Sequence, residues 1–352
     1  MNDARNFTAE GAEDAEKSLS ILFSAISAVS AVSIAFGREI AMEGRLKVFA
    51  GQSNPVLARE ICRELGVTLG NKTFTQFSNE NIKVKIEENV READVFVVQT
   101  SCSPVSDHLM ELLIMIDALK YASAARITAV LPYYPYVRSD KKDEPRISIT
   151  ARLVADLLET SGASRVLTMN LHAEQIIGFS RIPVDQLLAI PIICDYFSKK
   201  DLSNFVAVAP DVGRAKTTEH YARRLDLPMA ILDKRRIGDD EHAVIRHVIG
   251  EVEGKDVMLL DDEILTGGSM LEGIRALKER GARRVLAGCV HGVLSGNAVP
   301  AIEASPIEEL VVTNTIPLKR DSSKITVLSV ARLFADAIRA IHEGSSVSAL
   351  FD

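Results

Sequence analysis

The segment VMLLDDEILTGGSM, Val257 to Met270, decides the fold of this chain. Val257-Met258-Leu259-Leu260 is a continuous apolar run, as expected of a strand buried on both faces of a parallel sheet. Asp261 and Asp262 close that strand. Thr266-Gly267-Gly268-Ser269 then turns the chain into a helix over Met270–Arg280. Glycine lets the backbone approach a bound group closely. N–H groups at a helix start, joined by the Thr266 and Ser269 hydroxyls, form a cradle for a phosphate dianion. The acidic pair, one loop away, offers acceptors to the hydroxyls of a sugar. A sugar phosphate uses both halves of the segment; a bare phosphate uses one. The alternative is an ordinary strand–loop–helix with a flexible Gly-Gly.

Working outward, 352 residues suffice for two domains of ordinary size. A hydrophobic fraction of 47% is that of a globular protein, and a net charge of −7 argues against broad nucleic-acid binding. Small anions held by local basic loops are the expected partners. Cys62, Cys102, Cys194 and Cys289 lie far apart without a C-x-x-C spacing, which argues against zinc and for reduced thiols in the cytoplasm. Residues 1–43 do not conform to the rest. Leu19 to Phe36 is apolar but interleaved with Ser and Ala, and the residues before it are mostly acidic where a signal peptide needs basic ones. No membrane association is expected. The reading is of a disordered or spurious extension, with Met42 as the natural start.

From Leu46 onward short apolar runs alternate with amphipathic ones. Strands are expected at Leu46–Ala50, Val95–Gln99, Ile127–Leu131 and Arg165–Met169, then at Phe205–Ala209, Met229–Leu232, Val257–Leu260, Arg284–Cys289 and Glu309–Thr313. Helices are expected at Pro55–Leu65, Asp107–Ala122, Ile149–Ser161, Thr217–Leu225 and Val330–Ile341. The alternation indicates parallel sheets with crossover helices. It occurs twice, with a break near Pro183 to Pro191. The expectation is therefore α/β, two domains, at 44–188 and 189–352.

Other strand ends also carry chemistry. Asp211 follows Phe205–Ala209 at the edge where open α/β sheets bind ligands; an N-capping aspartate with a solvated Lys216 is the alternative. Asp233-Lys234-Arg235-Arg236 is either a wet loop or, near a phosphate, a clamp on a transferring phosphoryl group. Tyr133 to Lys142 combines stacking rings with Arg138 and two lysines. His172, after Met169, is a structural histidine or a ligand to a divalent ion or its water shell. No G-x-x-x-x-G-K-[ST] and no G-x-G-x-x-G after a strand is present, so neither a P-loop nor a dinucleotide site is expected.

In this order the loops resemble ribose-phosphate diphosphokinase (PRPP synthetase), from about Arg45 to the C-terminus. The segments ENVREADVFVVQTSC, LMELLIMIDALKYASAARITAVLPYYPY, LHAEQIIGF, ILDKRR and ALKERGARRV, with the DD-TGGS loop, carry the resemblance. It implies two phosphoribosyltransferase-like domains, each a mainly parallel sheet flanked by helices. It implies transfer of the diphosphoryl group of ATP to the 1-hydroxyl of ribose 5-phosphate, with Mg²⁺, giving PRPP and AMP. By the same resemblance Thr266, Gly267, Gly268 and Ser269 hold the 5-phosphate, and Asp261 and Asp262 face the ribose. His172 and Asp211 attend the metal and its ATP, and Lys234 and Arg236 are the catalytic cations of a flexible loop. Arg138 and Ser139 lie at ATP-contacting positions, and Phe77, Asn79 and Asn81 fall where a neighbouring subunit supports adenine. A homo-oligomer, a hexamer by resemblance, follows from that sharing. The chain departs from the family pattern at Asn79, Asn81, Ser139, Arg214 (usually Gly) and Leu265 (usually Asp). These departures motivate a second reading, a weakly active or inactive homologue that assembles with a true synthetase. A phosphoribosyltransferase that consumes PRPP is a third.

Overall fold

The structure is a computed structural model that describes residues 46–236 and 243–350. The expectations for residues 1–43, including a start at Met42, lie outside the described residues. The described residues from Lys47 onward form one compact unit.

The strands are β1 (Leu46–Ala50), β2 (Lys72–Gln76), β3 (Ile82–Ile86), β4 (Asp94–Val98), β5 (Arg126–Leu131), β6 (Arg165–Met169) and β7 (Val184–Leu187), then β8 (Phe205–Ala209), β9 (Met229–Arg236), β10 (Ala243–Ile249), β11 (Asp256–Ile264), β12 (Val285–Gly292), β13 (Glu309–Thr313) and β14 (Ile325–Leu328). The α-helices are α1 (Pro55–Leu65), α2 (Val105–Tyr121), α3 (Thr150–Ser161), α4 (Ile190–Phe197), α5 (Ala215–Leu225), α6 (Gly268–Glu279), α7 (Ala298–Ala304) and α8 (Ala331–Glu343). Two larger sheets have the orders β1-β4-β5-β6-β7 and β10-β9-β8-β11-β12-β13-β14, and β2 and β3 form a separate antiparallel pair. The pairs from β4 to β7 and from β9 to β14 are parallel, while β9–β10 is antiparallel. This is the expected α/β architecture, two mainly parallel sheets with helices between their strands. Each sheet has its own apolar core, one around Phe49, Val95 and Leu112, the other around Val257, Ile274 and Val285.

Local chemistry explains the elements. Every residue of β4 and of β12 is buried, which is why apolar residues dominate both, as in Val95–Val98 and Val285–Ala287. The Asn54 side chain accepts from the Leu57 N–H at 3.2 Å, Pro55 opens α1, and Gly66 closes it in a left-handed conformation. Across the two halves α8 packs on α1. The His342 Nδ1 lies 2.9 Å from Asp94 Oδ2, and Arg126 pairs with the same carboxylate.

The segment between the two repeats, Pro183 to Pro191, holds β7 and the start of α4, whose first turn accepts Pro191 because its missing N–H costs nothing there. Two expectations are corrected. The cation run after Leu232 is strand: β9 continues to Arg236 because β10 supplies an antiparallel ladder, pairing Lys234 with Ile245 and Arg236 with Ala243. Finally, β11 runs on to Ile264, so Asp261 and Asp262 lie inside the strand. Its register with β8 ends at Leu259–Val208, but with β12 it continues to Ile264–Gly292. No described helix is long and apolar enough to cross a membrane.

Candidate active site

The one-sided extension of β11 carries three carboxylates, Asp261, Asp262 and Glu263. The loops that follow β5, β6 and β8 converge on them, all at the carboxyl ends of parallel strands, where open α/β sheets bind ligands. From the β6 loop, His172 Nδ1 lies 3.2 Å from Asp262 Oδ2 and 3.7 Å from Glu263 Oε1. From the β5 loop, the Tyr133 hydroxyl donates to Glu263 Oε2 at 2.9 Å, and Arg138 Nε lies 3.3 Å from Glu263 Oε1. From the start of α5, Arg214 Nη2 lies 2.7 Å from Asp262 Oδ2 and 2.8 Å from His172 Nδ1. A guanidinium only donates, so Arg214 and Asp262 compete for one ring nitrogen.

These contacts set the charges. Burial works to raise the Asp262 carboxyl, but bonds with His172 and Asp261 and the Arg214 charge outweigh it and hold its pKa at about 2. Asp261 moves the other way, raised by burial and by its bond to and repulsion from Asp262. Burial, then the Asp262 charge, raises Glu263. Burial and the facing Glu263 raise Tyr133, which stays a phenol and a donor.

Beyond β11, Gly267 holds φ +78° and caps α6, a conformation that suits glycine. The Leu271 N–H closes onto the Gly267 carbonyl at 2.9 Å, so the N–H groups of Gly268, Ser269 and Met270 precede the first helical bond. The helix starts two residues earlier than Met270, which puts Gly268 and Ser269 in its first turn. Thr266, Gly268 and Ser269 are exposed. Leu265 is tied through its carbonyl to Ser295, whose N–H donates at 2.8 Å.

The other expected residues divide. Asp211 Oδ1 accepts from the Arg214 N–H at 3.0 Å and caps the 3-10 turn before α5, the alternative weighed for it. It thereby seats the arginine that reaches His172. Ser139 Oγ contacts the Ser148 carbonyl at 3.1 Å and accepts from the Thr150 N–H at 3.1 Å, so it caps α3. Phe77, Asn79 and Asn81 sit on the β2–β3 turn, joined to one another by Phe77 N–H to the Asn81 carbonyl at 2.8 Å and Asn81 N–H to Asn79 Oδ1 at 3.2 Å. Phe77 is half exposed there. Lys234 and Arg236 are placed by backbone on β9.

Glu263, Tyr133 and Arg214 are parts of the site whose roles the sequence did not reveal. Glu263 follows the acid pair directly, which was the available signal. Among the described residues no group of three or more His, Cys, Asp or Glu is arranged to hold a metal ion. The donor set fits Mg²⁺ in its usual manner, one or two carboxylates with substrate phosphates and water completing the shell.

Comparison with known proteins gives the family. Residues 46–162 match the N-terminal domain of ribose phosphate pyrophosphokinase, and residues 240–352 the phosphoribosyl synthetase-associated domain. The chain is 50% identical over 313 residues to the ribose-phosphate pyrophosphokinase of Deinococcus radiodurans, covering 87% of this chain and 98% of that one. It is 50% identical over 309 residues to that of Caldanaerobacter subterraneus subsp. tengcongensis, with the same coverage. The crystal structure of phosphoribosylpyrophosphate synthetase from Mycobacterium smegmatis superposes with a TM-score of 0.81 at 42% identity, over 86% of this chain and 100% of that one. The chain belongs to the ribose-phosphate pyrophosphokinase family.

Proposed function

We propose that this protein transfers the diphosphoryl group of ATP to the 1-hydroxyl of ribose 5-phosphate, giving PRPP and AMP. The observation that carries the reading is the joining of two features on one strand and turn. The Gly267–Ser269 helix start suits a phosphate, and the Asp261–Glu263 row beside it is met by His172 and Arg138 from the other sheet.

In this reading the first-turn N–H groups of α6 and the Thr266 and Ser269 hydroxyls bind the 5-phosphate. Asp261 and Asp262 orient the ribose hydroxyls. The 1-hydroxyl oxygen attacks the β-phosphorus and gives up its proton to solvent, the bond from that phosphorus to the oxygen bridging it to the α-phosphate breaks, and AMP leaves with that oxygen. Little covalent work falls to the protein, so positioning and charge dominate. Lys234 and Arg236 supply positive charge where it develops on the moving phosphoryl oxygens. Mg²⁺, attended by His172 and Asp211, supplies charge neutralisation on the phosphates when bound. Arg138 offers a further cation to ATP, and Phe77, Asn79 and Asn81 would reach a neighbour's adenine in a homo-oligomer. Residues 44–188 and 189–352 act as the two domains between which the site forms. The four described cysteines are free and buried, in keeping with a cytoplasmic protein.

The test is AMP formation by purified protein from ATP, dependent on ribose 5-phosphate and Mg²⁺. Absence of AMP beside an active control would support the regulatory homologue. Diphosphate release from PRPP and a nucleobase would support a phosphoribosyltransferase.

A further inference from the structure

We propose that His291 is a positioning residue, which pins the His172 loop and the Tyr133 ring to the strand neighbouring the acid row. The inference rests on the transferase reading for its kinetic consequence, but its geometry is independent of that reading.

His291 lies on β12, 1% exposed, and pairs across the ladder with Glu263 of β11. Its Nε2 lies 3.2 Å from the Met169 carbonyl and 3.1 Å from the Asn170 carbonyl, at the end of β6 in the other sheet. Carbonyls only accept, so Nε2 carries the proton. Nδ1 then accepts from the Thr315 hydroxyl at 3.0 Å. One ring thus has both nitrogens satisfied and a single tautomer selected. Burial, the largest influence, lowers its pKa to about 4, so it is neutral at physiological pH.

The carbonyls it holds belong to a bend. Asn170 has φ +39°, in the left-handed region that Asn tolerates better than most residues, and its Oδ1 accepts from the Ala189 N–H at 2.8 Å. His172 is two residues further on. The Tyr133 ring lies against the face of His291, with centroids 4.7 Å apart and planes tilted by 42°, and its hydroxyl donates to Glu263. His291 therefore touches both arms that reach the acid row from the first sheet. A histidine that merely fills the core would be replaceable by an apolar residue of similar volume. A positioning histidine would not, because a displacement of about 1 Å costs on the order of 100-fold in rate.

The experiment compares His291→Leu, which keeps bulk, with His291→Gln, whose amide can still donate to the carbonyls. With melting temperatures near wild type, His291→Leu should lower kcat about 10- to 100-fold and leave KM for ribose 5-phosphate within about threefold. His291→Gln should recover most of the loss. Wild-type kcat in His291→Leu, a loss confined to KM, or no recovery with Gln would overturn the inference. Independently of either variant's folding, ¹⁵N NMR of wild-type protein at pH 7 should show the His291 ring protonated at Nε2 only; protonation at Nδ1 would overturn it too. Absence of AMP formation in the wild-type protein would instead sink the transferase reading, and the NMR result would still decide the inference.

Discussion

Arg214→Ala removes the guanidinium that faces the Asp262 carboxylate. The Arg214 and Asp262 side chains are 19% and 7% exposed, with Nη2 and Oδ2 2.7 Å apart. At an effective dielectric of about 20 and a charge separation of about 4 Å, the attraction is roughly 4 kcal/mol. The arginine is partly solvated, and His172 and Asp261 remain bonded to Asp262, so about half should be lost on truncation. The expected destabilisation is about 2 kcal/mol, below the 3–5 kcal/mol typical of breaking a fully buried pair. A double-mutant cycle with Asp262→Asn isolates the pair. The assay is urea denaturation at pH 7 without nucleotide or divalent cation, followed by circular dichroism. A coupling of about 2 kcal/mol is expected; one below about 0.5 kcal/mol, the level of independent sites, would refute the reasoning.

Lys234→Ala should lower kcat by about two orders of magnitude or more, on the scale of losing a preorganised charge donor. Weaker substrate affinity with kcat unchanged would contradict its assigned role. Gly267→Ala forces a side chain into φ +78°, at a cost of about 1–2 kcal/mol. KM for ribose 5-phosphate should rise several-fold and KM for ATP should hold; an unchanged sugar-phosphate KM would argue against that turn as the phosphate cradle. Asp262, held at about 2 against an ordinary 3.8, contributes stability that is complete above pH 3.8 and disappears as pH falls through about 2. At ~1.4 kcal/mol per pH unit this amounts to about 2–3 kcal/mol. Asp262→Asn should flatten the acid limb of stability against pH by that amount, and a limb as steep as wild type would count against it.

Legibility followed the locality of the physics. Arg165–Met169, Phe205–Ala209 and Glu309–Thr313 have the expected boundaries because buried parallel strands are short, mainly apolar runs rich in Val and Leu. Pro55–Leu65 does as well, since Asn54, Pro55 and Gly66 punctuate it. The half-exposed hairpin of Lys72–Gln76 and Ile82–Ile86 went unread, although its alternation has a period of two. Within the site, two adjacent aspartates before a glycine turn are a local signal. The bond from Tyr133 to Glu263 spans 130 residues and that from Arg214 to His172 spans 42, and neither leaves a mark in the neighbouring sequence. Arg214 stood out only as a departure from family pattern, with no hint that its side chain would fill the acid site.

The packing of α8 on α1 bears on the order of events during synthesis. The first sheet and its helices emerge from the ribosome early, and domains generally fold as units in that order. The helix that covers α1 is translated only after every strand of the second sheet. The early half therefore waits, with α1 uncovered and Asp94 lacking His342, until the late half is nearly made. Deleting α8 should expose the early-made half to proteases and chaperones, although that half retains its whole sheet.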